Sequence, residues 1–172
     1  GCDKNLVDTE KMLGILADEG CTFTDDEAQA QVIIVNTCCF IGDAKEESIQ
    51  NILDLARFKT EGKLEALIAT GCLSQRYQDE MLEELPELDG ILGISAWHTI
   101  ADVVRDALEG KRPRNLMSTG VLNSHTTKRL LTTGGHYAYL KIAEGCNKRC
   151  TYCVIPSVRG AYVSVPLGRS EE

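Results

Sequence analysis

Eight cysteines are the residues of this 172-residue chain whose type and spacing could do chemistry. Three of them, Cys146, Cys150 and Cys153, are spaced C-x3-C-x2-C on a predicted loop. Three thiolates this close together can hold three corners of a cubane [4Fe–4S] cluster, which leaves the fourth iron without a protein ligand. Structural zinc is the alternative, but a tetrahedral site needs a fourth ligand, and none is obvious nearby. The spacing therefore favours an iron–sulfur cluster with one open iron.

Cys2, Cys38 and Cys72 are spread along the chain, and we call them the first cysteine group, with Cys146, Cys150 and Cys153 as the second. Cys38 follows the apolar run at 32–35, Cys72 follows a predicted strand at 66–69, and we expect Cys2 to follow an opening strand that precedes this sequence. The carboxyl ends of parallel strands lie along one edge of a sheet, so these three thiols should converge there. Scattered buried free thiols, as expected for Cys21, are the alternative.

The spacing leaves two questions open about the first cysteine group. Cys39 adjoins Cys38, and adjacent residues after a strand point in different directions, so only one of the two should face the site. Asn5, Asn36 and Gln75 flank the group. They could donate hydrogen bonds to cluster sulfur, or serve only as helix caps and turn residues.

The elements that must position these cysteines alternate between helices and strands as far as residue 110. The apolar spacing predicts strands at 32–35, 66–69 and 91–94, and helices at 5–18, 44–58, 74–85 and around 100–107. Such alternation predicts an α/β fold, with a doubly wound parallel sheet across 1–110. Residues 111–135 are basic and polar, which predicts a linker or a pair of short extended segments. Residues 137–142 alternate like a new strand and lead into the Cys146 loop, so a second domain is expected over 136–172.

Charge is distributed unevenly between the two halves of the chain. The net charge is −8, but residues 1–110 hold 23 acidic against 8 basic residues, and residues 111–172 hold 3 against 10. The acidic part would attract a basic protein and repel phosphate backbones, or it serves only to solvate helix faces. Free thiols beside an adequate apolar core favour a cytoplasmic protein over a disulfide-stapled secreted one. The apolar runs are too short to span a membrane.

Four stretches of the sequence resemble the methylthiotransferase family of radical S-adenosylmethionine enzymes. They are Gly1-Cys2-Asp3-Lys4-Asn5, Asn36-Thr37-Cys38, Gly71-Cys72-Leu73-Ser74-Gln75, and Cys146 to Cys153 with Ile155-Pro156 and Arg159-Gly160 behind it. The resemblance implies two [4Fe–4S] clusters, held by Cys2, Cys38, Cys72 and by Cys146, Cys150, Cys153. It also implies that S-adenosylmethionine binds the second cluster beside Tyr152, on the first strand and loop of a partial TIM-like barrel.

The opening residues Asp3 and Lys4 resemble the branch of that family that modifies an aspartate of a small-subunit ribosomal protein. This resemblance implies insertion of a methylthio group at the aspartate β-carbon. It also implies a basic ribosomal protein as substrate, association with the ribosome, an electron donor and no membrane partner. It places Arg159 near the substrate. A tRNA adenosine methylthiotransferase and a non-enzymatic iron–sulfur protein remain alternatives. Cys39, Val163 and Val165 depart from the family pattern.

Overall fold

The fold is built on a four-stranded parallel sheet with strand order β1-β2-β3-β4. The structure, a computed structural model, describes residues 2–119 and 128–166; Gly1, residues 120–127 of the predicted linker, and residues 167–172 lie outside that range. The strands are β1 (Val32–Thr37), β2 (Ala66–Gly71), β3 (Gly90–Leu92) and β4 (Arg114–Asn115). The predicted α/β class with a parallel sheet is confirmed.

Seven helices occur in the described ranges, joined by 3₁₀ turns at Glu27–Gln29 and Trp97–Thr99. They are α1 (Asp3–Asp18), α2 (Gly42–Ala56), α3 (Phe58–Glu61), α4 (Cys72–Arg76), α5 (Gln78–Glu84), α6 (Ile100–Leu108) and α7 (Ile155–Arg159). The single helix expected at 74–85 is two helices, because the backbone of Tyr77 (φ −122°, ψ 40°) leaves the helical region. None of these helices is long and apolar enough to cross a bilayer.

Strand β2 forms the centre of the core because every one of its residues is buried. Alternate side chains of a strand point to opposite faces, so β2 packs against helices on both sides. On one face Ala66 and Ile68 cluster with Met12 and Leu16 of α1 and with Ile100 of α6. On the other face Leu67 and Ala69 cluster with Ile52 of α2 and Met81 of α5. Helices on both faces give the doubly wound arrangement that the alternation predicted.

The basic segment after residue 110 supplies the fourth strand. Ile91 pairs with Arg114 and Leu92 pairs with Asn115, which confirms that a short extended piece lies there. A two-residue strand leaves almost no hydrophobic period, so the sequence pattern could not place it.

The prediction of a strand at 137–142 is wrong. Ala143–Glu144 (β5) instead pairs antiparallel with Val163–Ser164 (β6), two residues on each side. A strand exists only where a neighbour accepts its backbone hydrogen bonds, and within the described residues no ladder forms at 137–142. Its apolar side chains Tyr137, Leu140 and Ile142 stay exposed.

Candidate functional site

The carboxyl ends of β1 and β2 lie side by side because a glycine allows them to approach. Thr37 pairs with Gly71, so Cys38 and Cys72 follow directly from partnered residues. Gly71 has φ +96°, and a Cβ atom there would lie 2.4 Å from the Thr37 carbonyl oxygen and 2.5 Å from Asn36 Oδ1. Only glycine tolerates both the left-handed backbone and this contact.

Two cysteine thiols of the predicted first group meet at one amide oxygen. Cys2 caps the start of α1 and Cys72 opens α4. Their Sγ atoms lie 3.8 Å and 3.9 Å from Oδ1 of Asn5, which is buried. The Asn5 Nδ2 group donates to the Thr37 carbonyl oxygen at 3.0 Å. Asn5 therefore ties the start of α1 to the end of β1 and brings both thiols to the same place.

Cys38 and Cys39 point into different surroundings, as adjacent residues after a strand should. Cys39 is buried in the apolar core, where its thiol donates to the Cys72 carbonyl oxygen at 3.3 Å and burial raises its pKa. Cys38 is half-buried, and its backbone N–H donates to Ser48 Oγ at 3.0 Å. Cys39 is thus packed as a core residue, and the more accessible thiol at the strand end is that of Cys38.

Of the polar residues that flank this group, Asn36 and Gln75 form hydrogen bonds that join neighbouring parts of the fold. Asn36 Nδ2 donates to the Asn5 carbonyl oxygen at 2.9 Å and to Thr9 Oγ1 at 2.8 Å. Gln75 Oε1 accepts from the Ile94 backbone N–H at 3.2 Å, which holds α4 to the chain after β3. Asn36 Oδ1 is buried with no hydrogen-bond partner, so one acceptor is left unsatisfied beside Gly71.

Arg159, at the end of α7, reaches into this site from the far part of the chain. Its Nη1 donates to the two carboxylate oxygens of Glu144 at 3.0 and 2.9 Å, and its Nη2 donates to Asn5 Oδ1. Asp8 Oδ2 lies 3.7 Å from Nη1. The side chain is only 1% exposed. The structure buries Arg159 against Asn5 and the first cysteine group, and its place near the substrate, which the resemblance implies, stays a prediction.

Spacing alone missed the charged residues that surround Arg159. Lys141 Nζ lies 2.7 Å from Asp8 Oδ1 and also pairs with Glu144, while Lys4 Nζ donates to the Ala143 carbonyl oxygen at 2.9 Å. Burial alone would raise the pKa of Glu144, but Lys141 and Arg159 outweigh it and hold that pKa at about 2. The sequence could have predicted that Asp8 is buried, because it lies four and eight residues before Met12 and Leu16, on the same buried face of α1.

The second cysteine group lies on a loop that β5 and β6 close. Gly145 has φ +71°, and a Cβ atom there would lie 2.1 Å from the Ala161 carbonyl oxygen. The Cys146 N–H donates to the Gly160 carbonyl oxygen at 3.0 Å, and the Lys148 N–H donates to Cys146 Sγ at 3.4 Å. Tyr152 is 85% exposed. The loop therefore presents its thiols and the tyrosine near the surface, held at both ends by the backbone.

The donor chemistry of the first cysteine group suits iron. Across 2–119 and 128–166, no three His, Cys, Asp or Glu side chains converge closely enough to hold one metal ion. A cubane cluster does not require that convergence, because each thiolate binds a different iron. Cys2 and Cys72 both lie against Asn5 Oδ1, which the guanidinium of Arg159 also contacts, and their sulfur atoms are soft donors of the kind that iron accepts.

Fold and site together define a doubly wound α/β domain with a cysteine group at the carboxyl edge of its sheet. A family model described as "Uncharacterized protein family UPF0004" matches residues 1–93, more than half of the chain, and the chain belongs to that family. The sequence is also similar to proteins named ribosomal protein uS12 methylthiotransferase RimO. The one from Lachnoclostridium phytofermentans is 52% identical over the whole chain, and those from Desulforamulus reducens and Pelotomaculum thermopropionicum are 52% and 51% identical over 97% and 95% of it.

The predicted resemblance to methylthiotransferases is confirmed by these relatives. The chain spans 39%, 38% and 37% of their respective lengths. The activity of a complete enzyme is therefore a matter for proposal.

Proposed function

We propose that the polypeptide containing this chain is a radical S-adenosylmethionine methylthiotransferase that modifies an aspartate of ribosomal protein uS12. One observation carries the proposal: α7, which follows the Cys146 loop, is packed on α4, which begins with Cys72. The buried Val158 of α7 belongs to the same apolar cluster as Cys72 and Leu73. Two cysteine groups held in one packed unit are what a sulfur insertion by two clusters requires.

Each group has a separate task in this proposal. Cys146, Cys150 and Cys153 would hold a [4Fe–4S] cluster whose open iron takes S-adenosylmethionine, with Tyr152 beside it. Cys2, Cys38 and Cys72 would hold the first cluster. When bound, the clusters supply the electron for radical formation and the site that carries sulfur. The protein's own contribution is to keep the two groups adjacent: Gly71 and Asn5 fix the first, and Gly145 fixes the second.

The charge of the chain supports a protein substrate. The first 110 residues carry 23 acidic and 8 basic side chains, which suits a basic ribosomal protein and disfavours the phosphate backbone of tRNA. A tRNA adenosine methylthiotransferase is therefore the second candidate. A non-enzymatic iron–sulfur carrier would have no need of a cluster with an open iron, which the three-cysteine loop favours.

The substrate assignment can be tested with a reconstituted polypeptide of the relatives' full length that contains this chain. It is incubated with uS12 or with an anticodon stem-loop RNA, together with S-adenosylmethionine, a sulfide source and a reductant. Mass spectrometry then looks for an added methylthio group. We expect modification of a uS12 aspartate and none of the RNA. Modified RNA with unmodified uS12 would replace the proposal with its second candidate.

A further inference from the structure

We propose that Arg159 is a positioning residue of the site formed by Cys2, Cys38 and Cys72, supplied by the chain segment that carries the other cysteine group. The inference rests on the proposed function, in which those three cysteines hold a [4Fe–4S] cluster. It adds a residue that binds no iron and sets the properties of the cluster from outside the ligand set.

The contacts of Arg159 are those of a fixed fork. Its Nη2 donates to Asn5 Oδ1, and its Nη1 donates to both oxygens of Glu144. A guanidinium is planar, always charged and able to donate in two directions at once, whereas an ammonium group acts as a point charge. The side chain is almost wholly removed from water, so its charge is weakly screened at the site.

Lys141 and Arg159 together balance the charges of Asp8 and Glu144, which accounts for the contacts of Arg159 Nη1 but not for that of Nη2. Lys141 already contacts both carboxylates near the guanidinium, with its Nζ 2.7 Å from Asp8 Oδ1 and paired to Glu144. What distinguishes Arg159 is its bond to Asn5 Oδ1, the oxygen that both thiols approach. Arg159 therefore acts on the cysteine site through Asn5.

The hydrogen bond from Arg159 to Asn5 becomes important when the thiols become metal ligands. As protonated thiols, Cys2 and Cys72 can donate to Asn5 Oδ1. Iron binds thiolates, which have no proton to donate, so two anionic sulfurs would then face a carbonyl oxygen. Arg159 is placed to donate to that oxygen and to offset the negative charge.

The test uses the full-length polypeptide with Cys146, Cys150 and Cys153 replaced by alanine, so that only the first cluster can load. In this background we compare R159M, R159K and the exposed control R105M. R159M/E144Q is added because it removes the carboxylate that R159M would leave short of a partner. Thermal melting checks folding, and electron paramagnetic resonance during a redox titration gives the ratio of reduced to oxidised cluster.

Loss of the cation should disfavour the more negative, reduced cluster. We expect that ratio, at a fixed potential, to fall about tenfold in R159M relative to the parent and in R159M/E144Q relative to E144Q, a shift of about 59 mV for a one-electron couple. R159K should restore it to within about threefold, and R105M should leave it unchanged. An unchanged ratio in either folded methionine variant, or an equal fall in R159K, would overturn the role of Arg159. A parent protein that holds no iron would instead refute the proposed function.

Discussion

Arg159 donates a hydrogen bond to Oδ1 of Asn5 across 154 positions of sequence, inside a buried site. The same oxygen lies within 4 Å of the thiols of Cys2 and Cys72. The residues that follow the second cysteine group are therefore part of the surroundings of the first group. The proposed mechanism needs this adjacency, because sulfur from one cluster must be added to the substrate carbon from which the radical formed at the other has removed a hydrogen.

Replacing Cys38 should have a different effect from replacing its neighbour Cys39. We expect C38A to lose the first cluster, because the half-buried thiol at the end of β1 is the proposed ligand. C39A should keep that cluster and lose only about 1 kcal/mol of stability, since its thiol fills space in the apolar core. Iron content and urea denaturation measure the two effects. Full iron loading in C38A together with iron loss in C39A would reverse the ligand assignment.

Gly71 should be far less replaceable than Gly110, although both have positive φ angles. A Cβ atom at Gly110 would meet nothing within 4 Å, so G110A should cost only the backbone strain of about 1–2 kcal/mol. In G71A the added Cβ also strikes the Thr37 carbonyl oxygen, and we expect a loss of at least about 3 kcal/mol with reduced iron at the first group. Equal stability of the two variants in urea denaturation would show that the strand ends need no close approach.

Glu10 should make stability depend on pH. Its side chain is fully buried and accepts from Arg129 Nε at 2.6 Å and from the Thr132 N–H at 2.7 Å. Burial alone would raise its pKa, but these bonds outweigh it and hold the pKa below the ordinary 4.5. A carboxylate with a lowered folded pKa stabilises above its unfolded pKa and loses that contribution as the pH falls through the folded value.

We therefore expect E10Q to reduce the free energy of unfolding by about 2 kcal/mol at pH 6. The difference from the parent protein should shrink as the pH is lowered from 4.5 toward 3. The exposed control E83Q should stay within about 0.5 kcal/mol of the parent throughout. Urea denaturation at pH 6 and at pH 3 measures the difference. A difference that grows on acidification would contradict a lowered pKa for Glu10 in the folded protein.

The two cysteine groups should be separable in turnover. C146A in the full-length polypeptide is expected to abolish release of 5′-deoxyadenosine, because that thiol belongs to the group proposed to bind S-adenosylmethionine. C38A should still release the nucleoside while no methylthio group is inserted. Chromatography of the small-molecule products makes the comparison. Nucleoside release that survives in C146A would place radical formation at another site.

Much of the fold could be predicted because helices and strands each leave a characteristic spacing of apolar residues in the sequence. The apolar runs at 32–35 and 66–69 indicated the strands β1 and β2, and topology then placed Cys38 and Cys72 at one edge. The pairing of Arg114–Asn115 with β3 could not be predicted, since two residues carry no period. The segment 137–142 alternates like a strand, yet strand formation depends on a neighbour that the sequence pattern does not reveal. Burial of Arg159 likewise depends on packing between distant segments, which leaves no trace in spacing.

The most direct test of the two-cluster mechanism is the amount of iron and sulfide that a full-length polypeptide binds after anaerobic reconstitution. The parent protein should hold about eight irons per chain, and the variant with Cys146, Cys150 and Cys153 replaced by alanine should hold about four. That result would establish two independent four-iron clusters. Zinc in place of iron, or a parent protein that never exceeds about four irons, would contradict the mechanism.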